Sequence, residues 1–148
     1  MIKQLAVPIP LKSWQDPQGD VVLHKSRASC TISFGCWEAA GEPSDYICQL
    51  SFSNAWAVRG INPEYLLYEY EAHHRSCIYE IEGSAWLKQE SEMRSKCYPR
   101  WREWDSRLYR HYVVRGHDNY FEIIAASFEE RVVSRSEAGE LARLIDEA

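Results

Sequence analysis

The chain has 148 residues, of which 45% are hydrophobic and 13% aromatic, so it has enough apolar area for one packed core. This composition excludes a disordered protein, and the net charge of −5 argues against a general affinity for nucleic acid or for an anionic membrane. We therefore expect a single globular domain over residues 1–148.

The N-terminal segment does not predict export. Pro8 and Pro10 interrupt its apolar residues, and it lacks the continuous apolar run and the small-residue cleavage site of a secretory signal. No later segment reaches the roughly eighteen apolar residues that a membrane-spanning helix needs. The sequence thus predicts a cytoplasmic protein without a membrane segment.

The cysteines give no sign of a metal or disulfide framework. Their number is odd and none forms a CxxC pair, so we expect reduced thiols, no metal and no cofactor. The five residues are Cys30, Cys36, Cys48, Cys77 and Cys97.

The first clear strands flank the turn residues "GEPSD". "SCTISFGCW" and "YICQLSFS" both alternate apolar and polar residues, which predicts an antiparallel pair with one buried face that holds Cys30, Cys36 and Cys48. "WAVRGINPE" then predicts a short strand and a turn.

A second antiparallel pair is predicted from "YLLYEYEAHH" and "SCIYEIEG", which alternate in the same way. The pattern changes at Ser84, a favourable N-cap residue. Trp86, Met93 and Cys97 recur at helical spacing, so a helix should run from this point until Pro99.

A β-hairpin is predicted where "LYRHYVVR" and "YFEIIAAS" flank the turn "GHDN". With Arg115 opposite Tyr120, Val113 meets Glu122; with the turn at Asp118 and Asn119, Arg115 meets Glu122 instead. Both registers put His111, Arg115 and Glu122 on one face. The other face is the better candidate for the core and carries Tyr112, Val114, Phe121 and Ile123.

The C-terminus predicts one final helix. Ser134 and Glu137 form a capping-box pattern, and an apolar stripe follows that consists of Ala138, Leu141, Leu144, Ile145 and Ala148. About seven strands and two helices predict an α+β fold, mainly an antiparallel sheet with an internal helix and a short C-terminal helix. Strand order and oligomeric state do not follow from the sequence.

The hairpin contains the best candidates for catalysis. A carboxylate can orient a histidine for acid and base chemistry, so His111 and Glu122, with Arg115 nearby, could form a small site. The competing interpretation is a cross-strand polar pair on a solvent-exposed face, and we favour it because such pairs are routine in sheets. His117 and Asp118 lie at the turn, too far along the strand to join His111 around one metal.

The segment from Arg94 to Arg115 is basic and aromatic, with seven arginine or lysine residues against Glu103 and Asp105. Three interpretations stay open: structural packing, contact with a protein or ligand, and binding of single-stranded nucleic acid. The acidic chain as a whole makes nucleic acid the least favoured. The candidate binding residues are Arg100, Trp101, Arg102 and Trp104.

No GxGxxG, GxxxxGK[ST], GxSxG or HExxH motif occurs, which favours a non-enzymatic protein. "YEIEGSAWL" at 79–87 followed by "HYVVRGHDNYFEIIAASFE" at 111–129 resembles small uncharacterised bacterial proteins, some of the immunity or interaction type. In that pattern a Ser-x-Trp-Leu helix start precedes a His-Tyr strand, an Asp turn and an acidic and apolar strand.

That resemblance implies an interaction protein and transfers no catalytic residue. Our first hypothesis is therefore a non-enzymatic cytoplasmic domain that binds another protein or a ligand. The alternatives are a small hydrolase-like enzyme that uses His111 and Glu122, and a single-stranded nucleic-acid binder.

Overall fold

The computed structural model describes residues 3–27, 29–38, 41–61, 67–73 and 76–147. In these ranges the chain has the predicted α+β fold, built mainly from antiparallel strands. The elements in chain order are β1 Gln4–Pro10, β2 Trp14–Gln15, β3 Val22–Lys25, β4 Cys30–Trp37, β5 Pro43–Ser53, β6 Ala57–Ile61, β7 Tyr68–Tyr70, β8 Cys77–Ile81, α1 Ala85–Cys97, α2 Trp101–Trp104, β9 Arg110–Arg115, β10 Tyr120–Ala125, β11 Ser127–Ser134, α3 Arg135–Ala138 and α4 Glu140–Glu147.

The smaller sheet has the order β11-β5-β4-β2, and β3 also pairs with β4. Strands β4 and β5 form the predicted antiparallel pair, with Phe34 opposite Cys48. Cys30, Cys36 and Cys48 are all buried, as the alternation predicted. Strand β11 forms one edge of this sheet, and all of its residues pair with β5.

The larger sheet has the order β6-β10-β9-β8-β1-β7. The hairpin of β9 and β10 takes the first predicted register, with Arg115 opposite Tyr120 and Val113 opposite Glu122. The predicted pairing of β7 with β8 is wrong, because β1 lies between them, parallel to β7 and antiparallel to β8.

The prolines explain how β1 fits into this position. In the part of the chain that the structure describes, strand β7 pairs with residues 4–6 alone, so Pro8 and Pro10 lie where β1 has β8 as its one neighbouring strand. A proline is tolerated there because the missing N–H group would face no partner strand.

The core lies between the two sheets. Ile32, Phe34 and Leu50 of the smaller sheet pack in one buried cluster with Tyr112 and Ile123 of the larger one. The predicted core face of the hairpin is therefore confirmed, and its burial contributes to the apolar packing that drives folding.

The opposite face of the hairpin was predicted to be exposed, and this is wrong at its centre. His111 and Glu122 are 1% and 0% exposed. That face holds a second buried cluster, which includes Val113, Tyr120 and Tyr68.

Helix α1 starts as predicted, with the Ser84 hydroxyl accepting the N–H of Leu87 at 3.0 Å. None of its residues is buried, and Met93 and Cys97 of the predicted stripe are exposed. The helix is therefore held by contacts near its ends, which are described below.

The predicted C-terminal helix is divided into α3 and α4. Ser134 caps α3 by accepting the N–H of Glu137, as the capping box requires, but Gly139 takes a φ of 57° and interrupts the helix. Of the predicted stripe, Ile145 is buried, Leu144 is 42% exposed, and Ala148 lies outside the described residues. None of the helices in the described ranges is long and apolar enough to span a membrane.

The hairpin turn packs against the segment before β3. Asp118 N–H donates to the Asp20 carboxylate at 2.6 Å, and the Asn119 amide exchanges hydrogen bonds with the backbone of Val21. A Cβ at Gly116 would lie 2.9 Å from Asp20 Cα and from Val21 N, closer than packed atoms allow.

We expect Gly116→Ala to lower the free energy of unfolding by about 1–3 kcal/mol, because the backbone it meets has to move. Chemical denaturation measures this. Gly19→Ala is the matched control, since its new Cβ would lie at an ordinary 3.6 Å from the nearest atom, in Asp16. Equal stability of the two variants would contradict the close packing of the turn.

Candidate functional site

The most buried polar group in the described part of the fold is the carboxylate of Glu122, and it accepts hydrogen bonds from three side chains. Arg59 Nε donates to Oε2 at 2.6 Å, and His111 Nε2 lies 2.8 Å from Oε1. The Tyr68 hydroxyl also donates to Oε1. The same hydroxyl accepts a hydrogen bond from Arg59 Nη2 at 3.1 Å. The donors come from three different strands, β6, β7 and β9.

This network requires the larger sheet to curl. Strands β6 and β7 are the two edges of a six-stranded sheet, so in a flat sheet they would lie roughly 24 Å apart. Arg59 in β6 nevertheless contacts Tyr68 in β7 directly, so the two edges lie much closer together than in a flat sheet. The face that carries Glu122 and His111 is therefore the concave face, which explains why it is dry.

The network continues from the imidazole of His111 to the start of α1. Ser84 Oγ lies 2.6 Å from His111 Nδ1. Because an ionised carboxylate can only accept, the tautomer that fits places the ring proton on Nε2, toward Glu122, and leaves Nδ1 to accept from the Ser84 hydroxyl. Trp86 closes the arrangement, with its ring 5.0 Å from the imidazole and 4.1 Å below the Arg59 guanidinium. We call Arg59, Tyr68, Ser84, Trp86, His111 and Glu122 the buried network.

The donors set the charge of Glu122. Burial alone would raise the pKa of this carboxyl, but the hydrogen bonds from His111, Arg59 and Tyr68 outweigh burial and hold the pKa at about 2. The carboxylate is therefore ionised at neutral pH and stabilises the positive guanidinium of Arg59, which is 40% exposed.

The hydrogen-bonded chain of Ser84, His111 and Glu122 contains the residue types of a nucleophile, a base and an orienting acid. Every one of these groups is already engaged inside the fold, and Ser84, the least buried, is 9% exposed. Ser84 Oγ also caps α1. The arrangement therefore joins strands and a helix, and it offers a substrate no open approach.

The hypothesised trio of His111, Glu122 and Arg115 is brought together only in part. His111 and Glu122 are in contact, while the guanidinium of Arg115 lies 4.4 Å from the centre of the Tyr70 ring, outside the buried network. The motif "SxWL…HY…D…E" contains four residues of the buried network, namely Ser84, Trp86, His111 and Glu122. Asp118 lies apart at the hairpin turn and pairs with His117 at 3.1 Å.

Sequence reasoning missed Arg59, Tyr68 and Trp86 as members of the buried network. Arg59 was detectable in part, since it lies in a predicted strand and is opposite Glu122 in the observed register. No local signal identifies Tyr68, because its contact depends on the curl of the whole sheet.

The basic aromatic segment is organised around Arg94. Its guanidinium lies 4.3 Å from the centre of the Trp101 ring and 5.1 Å from that of Trp104, and it forms an ion pair of 3.0 Å with the buried carboxylate of Asp105. The hydrogen bond from the Tyr109 hydroxyl is the main reason why the pKa of Asp105 falls to about 2.

The four candidate binding residues separate into different environments. Trp101 is 3% exposed and donates its indole N–H to Ser95, so it belongs to the packing. Arg102 stacks on Trp101 at 4.1 Å and donates to the carbonyl of Arg107. Arg100 is exposed and pairs with Glu103, and Trp104 is 63% exposed.

A metal site is absent from the described residues: no group of three or more His, Cys, Asp or Glu side chains is placed to hold an ion. The sequence has two adjacent histidines, His73 and His74, followed closely by Cys77. His73 and Cys77 lie within the described ranges, and His74 lies outside them. Comparison with known proteins gave no match, either to a family model, to a curated protein or to a solved structure.

We expect Glu122→Gln to lower the free energy of unfolding at pH 7 by ~3 kcal/mol, because a neutral amide leaves the buried donors around it partly unpaired. The substitution should also change how the free energy of unfolding depends on pH. The carboxyl titrates near its ordinary value of 4.5 when unfolded and near 2 when folded, so its contribution is present above pH 4.5 and is lost as the pH falls to 2.

Urea unfolding at several pH values between 2 and 7 tests this prediction. The variant should lose less stability than the wild type over that window, while the exposed Glu129→Gln serves as the control. Parallel pH profiles for wild type and Glu122→Gln would show that folding does not lower the pKa of Glu122 and would contradict the prediction.

Proposed function

We propose that this chain is a non-enzymatic cytoplasmic domain that binds another protein through the exposed aromatic pair Tyr98 and Trp104. Among the described residues, eight large hydrophobic side chains are exposed, and four of them lie between residues 93 and 108. They are Met93, Tyr98, Trp104 and Leu108. This concentration carries the proposal, since exposed aromatic clusters are typical of interaction surfaces.

The aromatic pair is held rigidly. The rings of Tyr98 and Trp104 meet edge to face at 6.5 Å, and Arg94 stacks on Trp104 while its charge is neutralised by Asp105. Trp101 fills the space beneath as a buried anchor. A preorganised aromatic surface loses little side-chain entropy on binding, which favours affinity.

The surrounding charges define the chemistry of the partner. The side chains of Arg100 and Arg107 are 80% and 51% exposed and lie close in sequence to the pair. Because Arg100 pairs with Glu103 and Arg107 with Asp105, the rim of the aromatic pair is polar and of mixed charge, and a protein surface with an apolar centre and a polar rim complements it.

A single-stranded nucleic acid is less favoured for the same segment. Arg100 is paired with Glu103, Arg107 with Asp105 and Arg110 with Glu80, so phosphates would have to compete for these cations. The cytoplasmic assignment is supported by the cysteines, all five of which are free thiols.

We expect Tyr98→Ala and Trp104→Ala each to reduce the capture of a protein partner by about tenfold or more, because buried aromatic anchors dominate interface energies. The variants and the wild type are immobilised in parallel, exposed to host lysate, and their bound proteins are quantified by mass spectrometry. Tyr46→Ala is the matched control, since Tyr46 is 53% exposed on β5. The candidate partner is then purified and its affinity for each variant is measured.

Thermal unfolding of the same variants separates binding from stability. Because Tyr98 and Trp104 are largely exposed, their variants should unfold close to the wild-type temperature. A protein captured equally by all variants would contradict the proposed surface, and binding that nuclease treatment abolishes would favour nucleic acid instead.

A second candidate function, a hydrolase-like enzyme, is favoured by one observation, the 2.6 Å contact of Ser84 with His111 in line with Glu122. Nδ1 of His111 could take the Ser84 proton, and the carboxylate would stabilise the resulting imidazolium. The burial of all three groups argues against it.

We expect a fluorophosphonate probe, which reacts with activated serine hydroxyls, to leave Ser84 unlabelled in the folded protein. Intact-mass spectrometry detects the adduct. Labelling that is lost in Ser84→Ala and retained in the exposed control Ser127→Ala would instead establish an enzyme. Ser84→Ala should also destabilise the fold by about 1–2 kcal/mol through loss of the helix cap.

A further inference from the structure

A cleft of about 350 Å³ opens beside the larger sheet, where the start of β8 meets the end of β9. Its lining includes Trp14, His73, Cys77, Tyr79, Arg115 and His117. None of these residues belongs to the buried network or to the exposed aromatic pair. The volume falls within the range of small-molecule sites, roughly 300–1,000 Å³.

The walls of this cleft are tied together by hydrogen bonds. The Gln15 side-chain amide donates to the carbonyl of Arg115 at 2.6 Å, and the Gln15 N–H donates to Ser76 Oγ at 3.0 Å. The N–H of His117 donates to the carbonyl of Gly19 at 3.0 Å. Three separate chain segments are thus fixed relative to one another, so the cleft exists without a ligand.

Two polar groups in the cleft lack the partners that their chemistry requires. Arg115 forms no ion pair with any carboxylate in the described ranges, although its guanidinium is oriented by the Tyr70 ring. Nε2 of His73 is buried and has no hydrogen-bond partner among the described atoms. Because Nε2 of His73 has almost no accessible surface, a ligand in the cleft does not reach it, so Arg115 is the group whose charge a ligand would satisfy.

The cleft also holds a negative group. The carboxylate of Asp16 lines it and accepts the N–H of Gln18 at 2.8 Å, and no ion pair joins it to Arg115. His117, another lining residue, pairs with Asp118. Among the described lining residues, Arg115 is therefore the permanent cation that has no carboxylate partner.

We propose that this cleft binds a small aromatic ligand that carries a carboxylate or phosphate group. The planar guanidinium of Arg115 matches two oxygens of such an anion. Tyr79 and Trp14 provide apolar walls for the ring. The site is independent of the proposed protein contact, since the two use different residues.

Phenyl phosphate, benzoate and the neutral benzyl alcohol test the proposal by titration into ¹⁵N-labelled protein. We expect at least one of the two anions to bind at least tenfold more tightly than benzyl alcohol, with amide shifts at Cys77 and at residues 115–117. The stronger of the two anions shows whether the site prefers a phosphate or a carboxylate.

Arg115→Gln should weaken the stronger anion at least tenfold, while Arg110→Gln should bind it like the wild type. Arg110 lies on the same strand but pairs with Glu80 and does not line the cleft. If Arg115→Gln does not fold, Arg115→Lys replaces it and should also weaken the anion, because an ammonium group cannot hold two oxygens side by side. Anions that bind no better than benzyl alcohol, or full binding by the folded Arg115 variant, would overturn the proposal and leave the protein-binding surface unaffected.

Discussion

The carboxylate of Glu122 is the constraint on which the rest of the structure depends. A charged group with no exposure is tolerated only if several donors surround it, and here they come from β6, β7 and β9. Arg59 and Tyr68 lie on opposite edges of the larger sheet, so satisfying the charge forces the edges toward each other. The curl of the sheet and the position of the start of α1 follow from this requirement.

The same constraint decides where function can lie. The side chains that look most reactive in the sequence, His111 and Glu122, are consumed in holding the fold together. The groups left with unused chemistry are on the periphery: the exposed pair of Tyr98 and Trp104, and the cation of Arg115 in its cleft. This geometry supports the proposal that binding takes place at the surface, while the buried network maintains the fold.

Local signals in the sequence predicted local structure well. The alternation around Phe34 and Cys48 and the N-cap at Ser84 appear as predicted, and the hairpin takes one of the two registers that the sequence left open. Each of these depends on residues close together in the chain or on a turn that fixes the register.

Two of the errors arose where distant segments meet. Strand β1 enters between β7 and β8, and its prolines hid it because they are acceptable only beside an open stretch of the sheet. The exposed face predicted for His111 became the inside of a curl that no single strand encodes. Gly139 divided the terminal helix, although the capping pattern before it was correct.

Helix α1 shows how the polar interior and the proposed contact surface are coupled. The helix buries no residue of its own, so apolar packing cannot fix it. At its start Arg59, held by Glu122, stacks on Trp86; near its end Arg94, held by Asp105, stacks on Trp101. A cation sandwiched between a carboxylate and an indole thus anchors each end of the helix, and desolvation strengthens both contacts. Because Tyr98 directly follows α1, the position of the exposed aromatic pair depends on the same two anchors. The Ser-x-Trp and His-Tyr motifs therefore act on the proposed binding surface through the helix that they hold in place.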